Sequence, residues 1–197
     1  MSTVAIIAGG EAHRLGGQSK GNLPLGNTSF IDRQIEILHE VSDDVLIVAN
    51  DQAYKFLGVP VVSDLIPGAG AMGGIYTALT VAKTKQVLAV ACDMPFLQAN
   101  FLKHVLVAGK TVDVAIPKTK HGYEPLCASY GQGCLPKLMQ QITRGRFKLH
   151  DLLPYLKIRE IGPEEIAAYD KDGNLFFNVN TPDDYRWALE QLKIAKS

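Results

Sequence analysis

Two cations, Arg14 and Lys20, stand in the glycine-rich stretch Gly9-Gly10-Glu11-Ala12-His13-Arg14-Leu15-Gly16-Gly17-Gln18-Ser19-Lys20. Glycine has no Cβ to hold a ligand off the backbone, so the N–H groups of such a loop can close on an anion while Arg14 and Lys20 offset its charge. A phosphate is the natural guest. The order is not that of a P-loop, because Lys20 is followed by Gly21, and it is not Gly-x-Gly-x-x-Gly either. A surface turn with incidental charges would have a similar composition. Position favours the ligand site: the stretch follows the apolar run Val4-Ala5-Ile6-Ile7-Ala8, and in open α/β sheets ligands bind beyond the carboxyl ends of strands.

Asp93 is the second chemical candidate. It follows the buried-strand pattern Val87-Leu88-Ala89-Val90-Ala91 and precedes Met94-Pro95, where the pre-proline restriction keeps the backbone extended. A carboxylate at a strand end near a phosphate loop suits Mg²⁺, which is commonly held by one or two carboxylates plus substrate phosphates. A turn or cap aspartate is the plain alternative, and it applies with more force to Asp64. Gly68-Ala69-Gly70-Ala71-Met72-Gly73 does satisfy Gly-x-Gly-x-x-Gly, which raises a dinucleotide-dependent oxidoreductase as a rival. Ser63 to Pro67 separates those glycines from the preceding strand, and this counts against the rival. Asp93 also argues against a non-catalytic nucleotide-binding module, which needs no metal acid. The basic cluster Arg144, Arg146 and Lys148 reads first as a solvated face or helix C-terminal charge. The five histidines lack ligand spacing, and Cys92, Cys127 and Cys134 show neither Cys-x-x-Cys spacing nor an even count.

Four stretches together resemble the bacterial molybdenum cofactor guanylyltransferases: Ala8-Gly9-Gly10 with Arg14-Leu15-Gly16-Gly17 and Lys20; Pro67 to Gly74; Cys92-Asp93-Met94-Pro95-Phe96; and Phe177-Asn178-Val179-Asn180-Thr181-Pro182-Asp183-Asp184. The resemblance implies a nucleotide-diphospho-sugar transferase-like fold and transfer of GMP from GTP to molybdopterin with release of pyrophosphate. It implies Arg14, Lys20 and Asp93 as catalytic residues, with Asp93 holding Mg²⁺. Nucleotide contacts are implied at Ile7, Ala8, Gly9, Gly10, Lys20, Asn50, Asp64, Gly73 and Asp93, and pterin contacts at Asn178, Asn180 and Thr181. Asn178 and Asn180 project to one side of an extended segment, while Thr181 also has the character of a helix cap. Two departures stand out: Leu15 replaces a methionine, and His13 stands where an arginine is common, leaving Arg14 as the catalytic cation. The run of small residues from Gly68 to Gly74 leaves a CTP-dependent relative, or one using another phosphate acceptor, as the alternative.

These residues need elements to hold them. Thr28-Ser29-Phe30-Ile31-Asp32 has cap chemistry, and Ile31, Ile35 and Leu38 predict a helix to about Glu40. Val45 to Ala49 predicts a strand ending at Asn50, Gln52 to Leu57 a short helix, and Val59 to Val62 a strand ending at Asp64. Helices follow at Ile75 to Ala82, Asn100 to Ala108 and after Pro136, with strands at Val87 to Ala91 and Val112 to Ile116. Glu124 to Tyr130 is an expected antiparallel strand, Lys148 to Leu156 a short helix, Ile158 to Ile161 and Phe176-Phe177 strands, and Tyr185 to Ile194 the last helix. Alternating strand and helix imply right-handed crossovers. The expectation is one Rossmann-like domain over residues 1–197, with a doubly wound, mostly parallel sheet, helices on both faces and a small antiparallel part. Twenty Lys and Arg balance twenty Asp and Glu, which argues against a broad nucleic-acid or membrane surface. No apolar run approaches a membrane span, and Met1-Ser2-Thr3 leads straight into a strand without a signal peptide's basic and apolar regions, so a cytoplasmic location is expected; the chain is separately expected to be a monomer. Any contact with other cofactor-biosynthesis proteins or molybdoenzyme chaperones would be transient.

Overall fold

The computed structural model describes residues 2–8, 14–15, 18–19, 23–25, 28–50, 54–55 and 57–194. The chain opens with β1 (Thr3–Ile7), then two short hairpins: β2 (Arg14–Leu15) with β3 (Gln18–Ser19), and β4 (Pro24–Leu25) with β5 (Thr28–Ser29). Helix α1 (Phe30–His39) starts at a capping box, in which the Ser29 hydroxyl accepts from Asp32 N–H and the Asp32 carboxylate accepts from Ser29 N–H. Next come β6 (Val45–Val48), β7 (Val61–Val62), α2 (Gly70–Val81), β8 (Gln86–Ala91) and α3 (Ala99–Ala108). The second half holds β9 (Val114–Thr119), β10 (Gly122–Tyr123), β11 (Cys127–Gly131), α4 (Leu135–Thr143), β12 (Ile158–Ile161), α5 (Pro163–Ala167) and α6 (Pro182–Ile194).

Among the described residues one eight-stranded sheet runs β10-β9-β11-β8-β1-β6-β7, with β12 also beside β9. The pairs β1–β6, β1–β8, β6–β7 and β9–β12 are parallel, whereas β11 runs antiparallel to both β8 and β9. The carboxyl ends of β1, β6, β7, β8 and β9 therefore share one edge. Every residue of β1 and β6 is buried, the pattern of strands covered on both faces. Alternation along β1 sends Val4 and Ile6 toward α1 and α3, where Ile31, Leu38, Phe101 and Val105 pack. Ala5 and Ile7 face α2 and α4, with Met72, Ile75, Leu79 and Leu138.

Several boundaries differ from the sequence expectation, each for a physical reason. Helix α2 begins at Gly70, not Ile75, because Gly73 and Gly74 are helical contact points: a Cβ on Gly74 would lie 2.6 Å from Ile7 Cγ2. The positive φ angles of Gly68 and Gly70 make the turn that precedes them. Lys148 to Leu156 forms two single 3₁₀ turns, Leu149–Asp151 and Leu153–Tyr155, the second carrying Pro154 in its first turn. Phe176-Phe177 is no strand; Phe177 N–H closes a turn on the Asn174 carbonyl, and the chain meets the sheet edge only afterwards. Helix α5 was not foreseen, although Gly162-Pro163 with Glu165 three residues after the cap is a helix start. Of the helix expected from Gln52 to Leu57, residues 52, 53 and 56 lie outside the described residues.

Candidate active site at the carboxyl edge of the sheet

The shared strand edge gathers most of the chemically distinctive residues. The β1–β8 register ends at Ile7 opposite Ala91, and β1–β6 at Ile7 opposite Val48. Ile7 and Ala8 are buried, and Ala8 N–H still donates to the Val48 carbonyl at 2.9 Å. The chain then enters the glycine stretch. Gly9, Gly10 and Lys20 lie outside the described residues, and Arg14 is described by its backbone, paired with Ser19 in the β2–β3 hairpin.

Beside β1, the ends of β6 and β7 are tied together by Asn50, whose Oδ1 accepts from Asp64 N–H at 3.0 Å. Asp64 Oδ1 accepts from Ile66 N–H at 3.0 Å and from the Thr77 hydroxyl at 2.9 Å. Buried Thr77 also takes Leu65 N–H at 2.9 Å. Asp64 thus acts as a turn aspartate in shaping its loop, with one oxygen engaged. Its second oxygen faces Gly73, where an added Cβ would lie 3.0 Å from Oδ2 and 2.9 Å from the Ile66 carbonyl. Asn50, Asp64 and Gly73 are therefore one unit, and the glycine is required by closeness.

Asp93 sits two residues beyond β8, half-buried in the turn that leads to Pro95. Its carbonyl accepts from Val179 N–H at 2.9 Å. Val179 is 1% exposed, and the residues on either side of it, Asn178 and Asn180, are the pterin candidates. The structure brings the Asp-Met-Pro turn and the Asn-Val-Asn segment into direct contact across 86 positions of sequence. Asn178 Nδ2 donates to the Phe176 carbonyl at 2.9 Å. Thr181 caps α6: its hydroxyl accepts from Asp184 N–H at 3.1 Å, while Asp184 Oδ2 accepts from Thr181 N–H at 2.8 Å and Asn180 N–H at 3.0 Å.

An aromatic cluster holds these segments in place. Leu23, Phe30, Val179, Ala188 and Leu192 form its buried part, with Leu25, Phe96, Phe177 and Tyr185 against them. Phe96 stands 6.0 Å from Phe177 and 5.7 Å from Trp187, and Phe177 lies 4.4 Å from Trp187. Tyr185 donates its hydroxyl to the Pro24 carbonyl at 2.7 Å. The chain after the glycine stretch, the turn after Asp93 and the last helix are thus one packed layer. Single aromatics spread over the sequence carry no periodic signal, so this layer was not legible beforehand; nor was Thr77, though a threonine between Tyr76 and Ala78 in an apolar helix was a clue.

On the other side of β8 the edge continues into β9–β10. Ala91 N–H donates to the Leu126 carbonyl at 2.9 Å, next to Pro125 and Glu124. Burial lifts the Glu124 carboxyl above its ordinary range, and the Thr119 hydroxyl bond opposes this. Glu160 is held below its usual range, first by the Tyr123 hydroxyl and then by Lys118. Tyr123 in turn stands 6.3 Å from His150, so the segment after α4 returns to this edge. Arg144, Arg146 and Lys148, which precede it, are exposed. Cys92, Cys127 and Cys134 are buried; burial pushes the Cys127 thiol far above its ordinary range and Cys134 to about 12.

Among the described residues no three His, Cys, Asp or Glu side chains come together as a metal cage. A divalent cation at Asp93 would take its remaining ligands from phosphate oxygens and water, which is how Mg²⁺ is commonly held in phosphoryl-transfer sites. The described residues fit a cation that arrives with the substrate phosphates. Among the described residues no helix is long and apolar enough to cross a membrane.

Comparison with known proteins agrees with this arrangement. Residues 4–157 match the MobA-like NTP transferase domain. A probable molybdenum cofactor guanylyltransferase of Carboxydothermus hydrogenoformans is 35% identical over 188 residues, covering 95% of each chain. The molybdenum cofactor guanylyltransferase of Desulfosudis oleivorans is 32% identical, covering 98% of this chain and 97% of its own. The crystal structure of molybdopterin-guanine dinucleotide biosynthesis protein A from Archaeoglobus fulgidus superposes with a TM-score of 0.85 at 30% identity, covering 98% of this chain and all of that one. A nucleotidyl transferase from Methanothermobacter, at 16% identity and TM-score 0.76, shares the fold. With a glycine stretch after β1, an aspartate after β8 and a family match over most of its length, the chain belongs to the MobA-like NTP transferases.

Proposed function

We propose that this chain transfers GMP from GTP to molybdopterin, releasing pyrophosphate and forming molybdopterin guanine dinucleotide. The observation that carries this reading is the Val179 N–H bond to the Asp93 carbonyl, which joins the Asp93 turn at the end of β8 to the Asn178–Asn180 segment. The named activity of the relatives supports the choice of substrates. An oxygen of the pterin's terminal phosphate attacks the α-phosphorus of GTP; that P–O bond forms as the bond to the β-phosphate oxygen breaks, and the electron pair leaves with pyrophosphate. Two anions must be brought together, so positioning and charge compensation account for catalysis.

In this reading Gly9 and Gly10 offer backbone N–H groups to phosphate oxygens, and Arg14 and Lys20 offset charge. The Asn50–Asp64–Gly73 unit, with Ile7 and Ala8, walls the nucleotide. Asn178 and Asn180 receive the pterin, and Thr181 acts through them as the cap of α6. Asp93 would hold Mg²⁺, which when bound supplies charge stabilisation at the α-phosphate. The reaction takes place without a covalent enzyme intermediate. Incubating the protein with molybdopterin and either GTP or CTP, and identifying the product by mass spectrometry, tests the proposal. The guanine dinucleotide with stoichiometric pyrophosphate is expected; preferential use of CTP overturns the assignment.

A further inference from the structure

Gln34 is a polar residue on the apolar face of α1, among Ile31, Ile35 and Leu38, and is only 3% exposed. Its Nε2 donates to the Ala91 carbonyl at 2.6 Å. Its Oε1 is buried and accepts no hydrogen bond among the described residues. A buried amide oxygen without a donor is destabilising, and a methionine would fill similar volume without that penalty. Packing alone therefore does not account for an amide here. What the amide does is hold the last carbonyl of β8, two residues before Asp93. The neighbouring Arg33 donates through Nε to the Pro95 carbonyl at 3.4 Å, two residues after Asp93. Between them, the Asp93 carbonyl takes Val179 N–H.

This grip falls where the sheet stops supplying one. The β1–β8 register ends at Ile7 and Ala91, so the chain beyond Ala91 has no partner in β1 to fix its direction. We propose that Gln34, assisted by Arg33, is a positioning residue for Asp93: helix α1 holds the Asp93-Met94-Pro95 turn from both sides and so aims the carboxylate during transfer. The inference rests on the guanylyl-transfer reading. Displacement of a catalytic group by about 1 Å can lower a rate on the order of 100-fold, so a lost backbone anchor should be visible in turnover.

The test is a double-mutant cycle with wild type, Gln34→Met, Asp93→Asn and the double variant, measuring kcat and GTP KM by pyrophosphate release with molybdopterin present. Isothermal titration calorimetry measures GTP binding to each variant. For Gln34→Met, kcat should fall ~10-fold with GTP affinity within ~2-fold, and in the Asp93→Asn background the same change should lower kcat by less than ~2-fold. Arg33→Ala, at a partly exposed position, should show the same pattern with a smaller loss, and it carries the cycle if Gln34→Met does not fold. An unchanged kcat, or an equal loss in both backgrounds, overturns the positioning role. A wild type that releases no pyrophosphate from GTP overturns the transfer reading instead.

Discussion

At the scale of single residues, Gln34 and Gln141 are both buried amides, and only Gln34 holds a neighbouring carbonyl. Asp93 was legible because an apolar run must end somewhere, and a carboxylate next to Met-Pro marks that end. Gln34 and Gln141 were not, since a buried amide has no sequence signature apart from interrupting an apolar face. Gln141 is fully buried on α4, and neither its Nε2 nor its Oε1 finds a partner among the described residues. Unlike Gln34, it holds nothing in return. Gln141→Met should therefore raise stability by about 1 kcal/mol or more, because two desolvated polar atoms are replaced by a similar apolar volume. Urea denaturation checks this, and a lowered midpoint would contradict it. Asn178 and Asn180 were legible as a pair on an extended segment, but the docking of that segment was not: the buried Val179 between them joins it to Asp93.

At the scale of elements, parallel strands and their helices followed from apolar runs and caps, while helix starts in glycine-rich sequence did not. Gly73 and Gly74 looked like loop because propensity disfavours glycine in helices; tertiary closeness overrode it. Gly74→Ala sets two effects against each other. Helix propensity should contribute about 1 kcal/mol in favour, yet a methyl 2.6 Å from Ile7 Cγ2 forces repacking that typically costs about 1–3 kcal/mol. The net expected result is a lower denaturation midpoint together with weaker GTP binding, because Ile7 ends β1 at the site; unchanged midpoint and affinity would show that the strand yields freely. At the opposite edge, Asp113 Oδ2 accepts from Lys137 Nζ at 2.8 Å and from Lys157 N–H at 2.9 Å, tying α4 and the approach to β12 to β9. The Lys137 hydrogen bond, followed by that from the Lys157 backbone, lowers the Asp113 pKa. A lowered folded-state pKa gives stability that is present above the unfolded value of about 3.9 and is lost as pH falls through the folded value. Asp113→Asn should cost about 1 kcal/mol at pH 7, and the gap from wild type should close only at pH below about 4. A gap that persists unchanged into strong acid would mean that the carboxylate charge is not what ties these elements together.

At the scale of the whole molecule, the fold is a device for bringing distant segments to one sheet edge. The sheet order puts the carboxyl ends of β1, β6, β7 and β8 side by side, with that of β9 on the same edge beyond β11, and the aromatic layer of Phe30, Phe96, Phe177, Tyr185 and Trp187 packs the last helix against the turn after β8. The sheet was legible in the sequence because local periodicity specifies strands and helices. The layer was not, because its members are separated by up to 157 positions and meet only in three dimensions. In the proposed reaction Asp93, gripped by Val179 and α1, is the acid around which guanylyl transfer is organised. The most direct test of this role is Mg²⁺-dependent pyrophosphate release from GTP with molybdopterin present, comparing wild type with Asp93→Asn. Asparagine keeps the shape and removes the charge, so the rate should fall ~100-fold or more with a much smaller change in GTP binding. Equal rates at saturating Mg²⁺ would contradict the account.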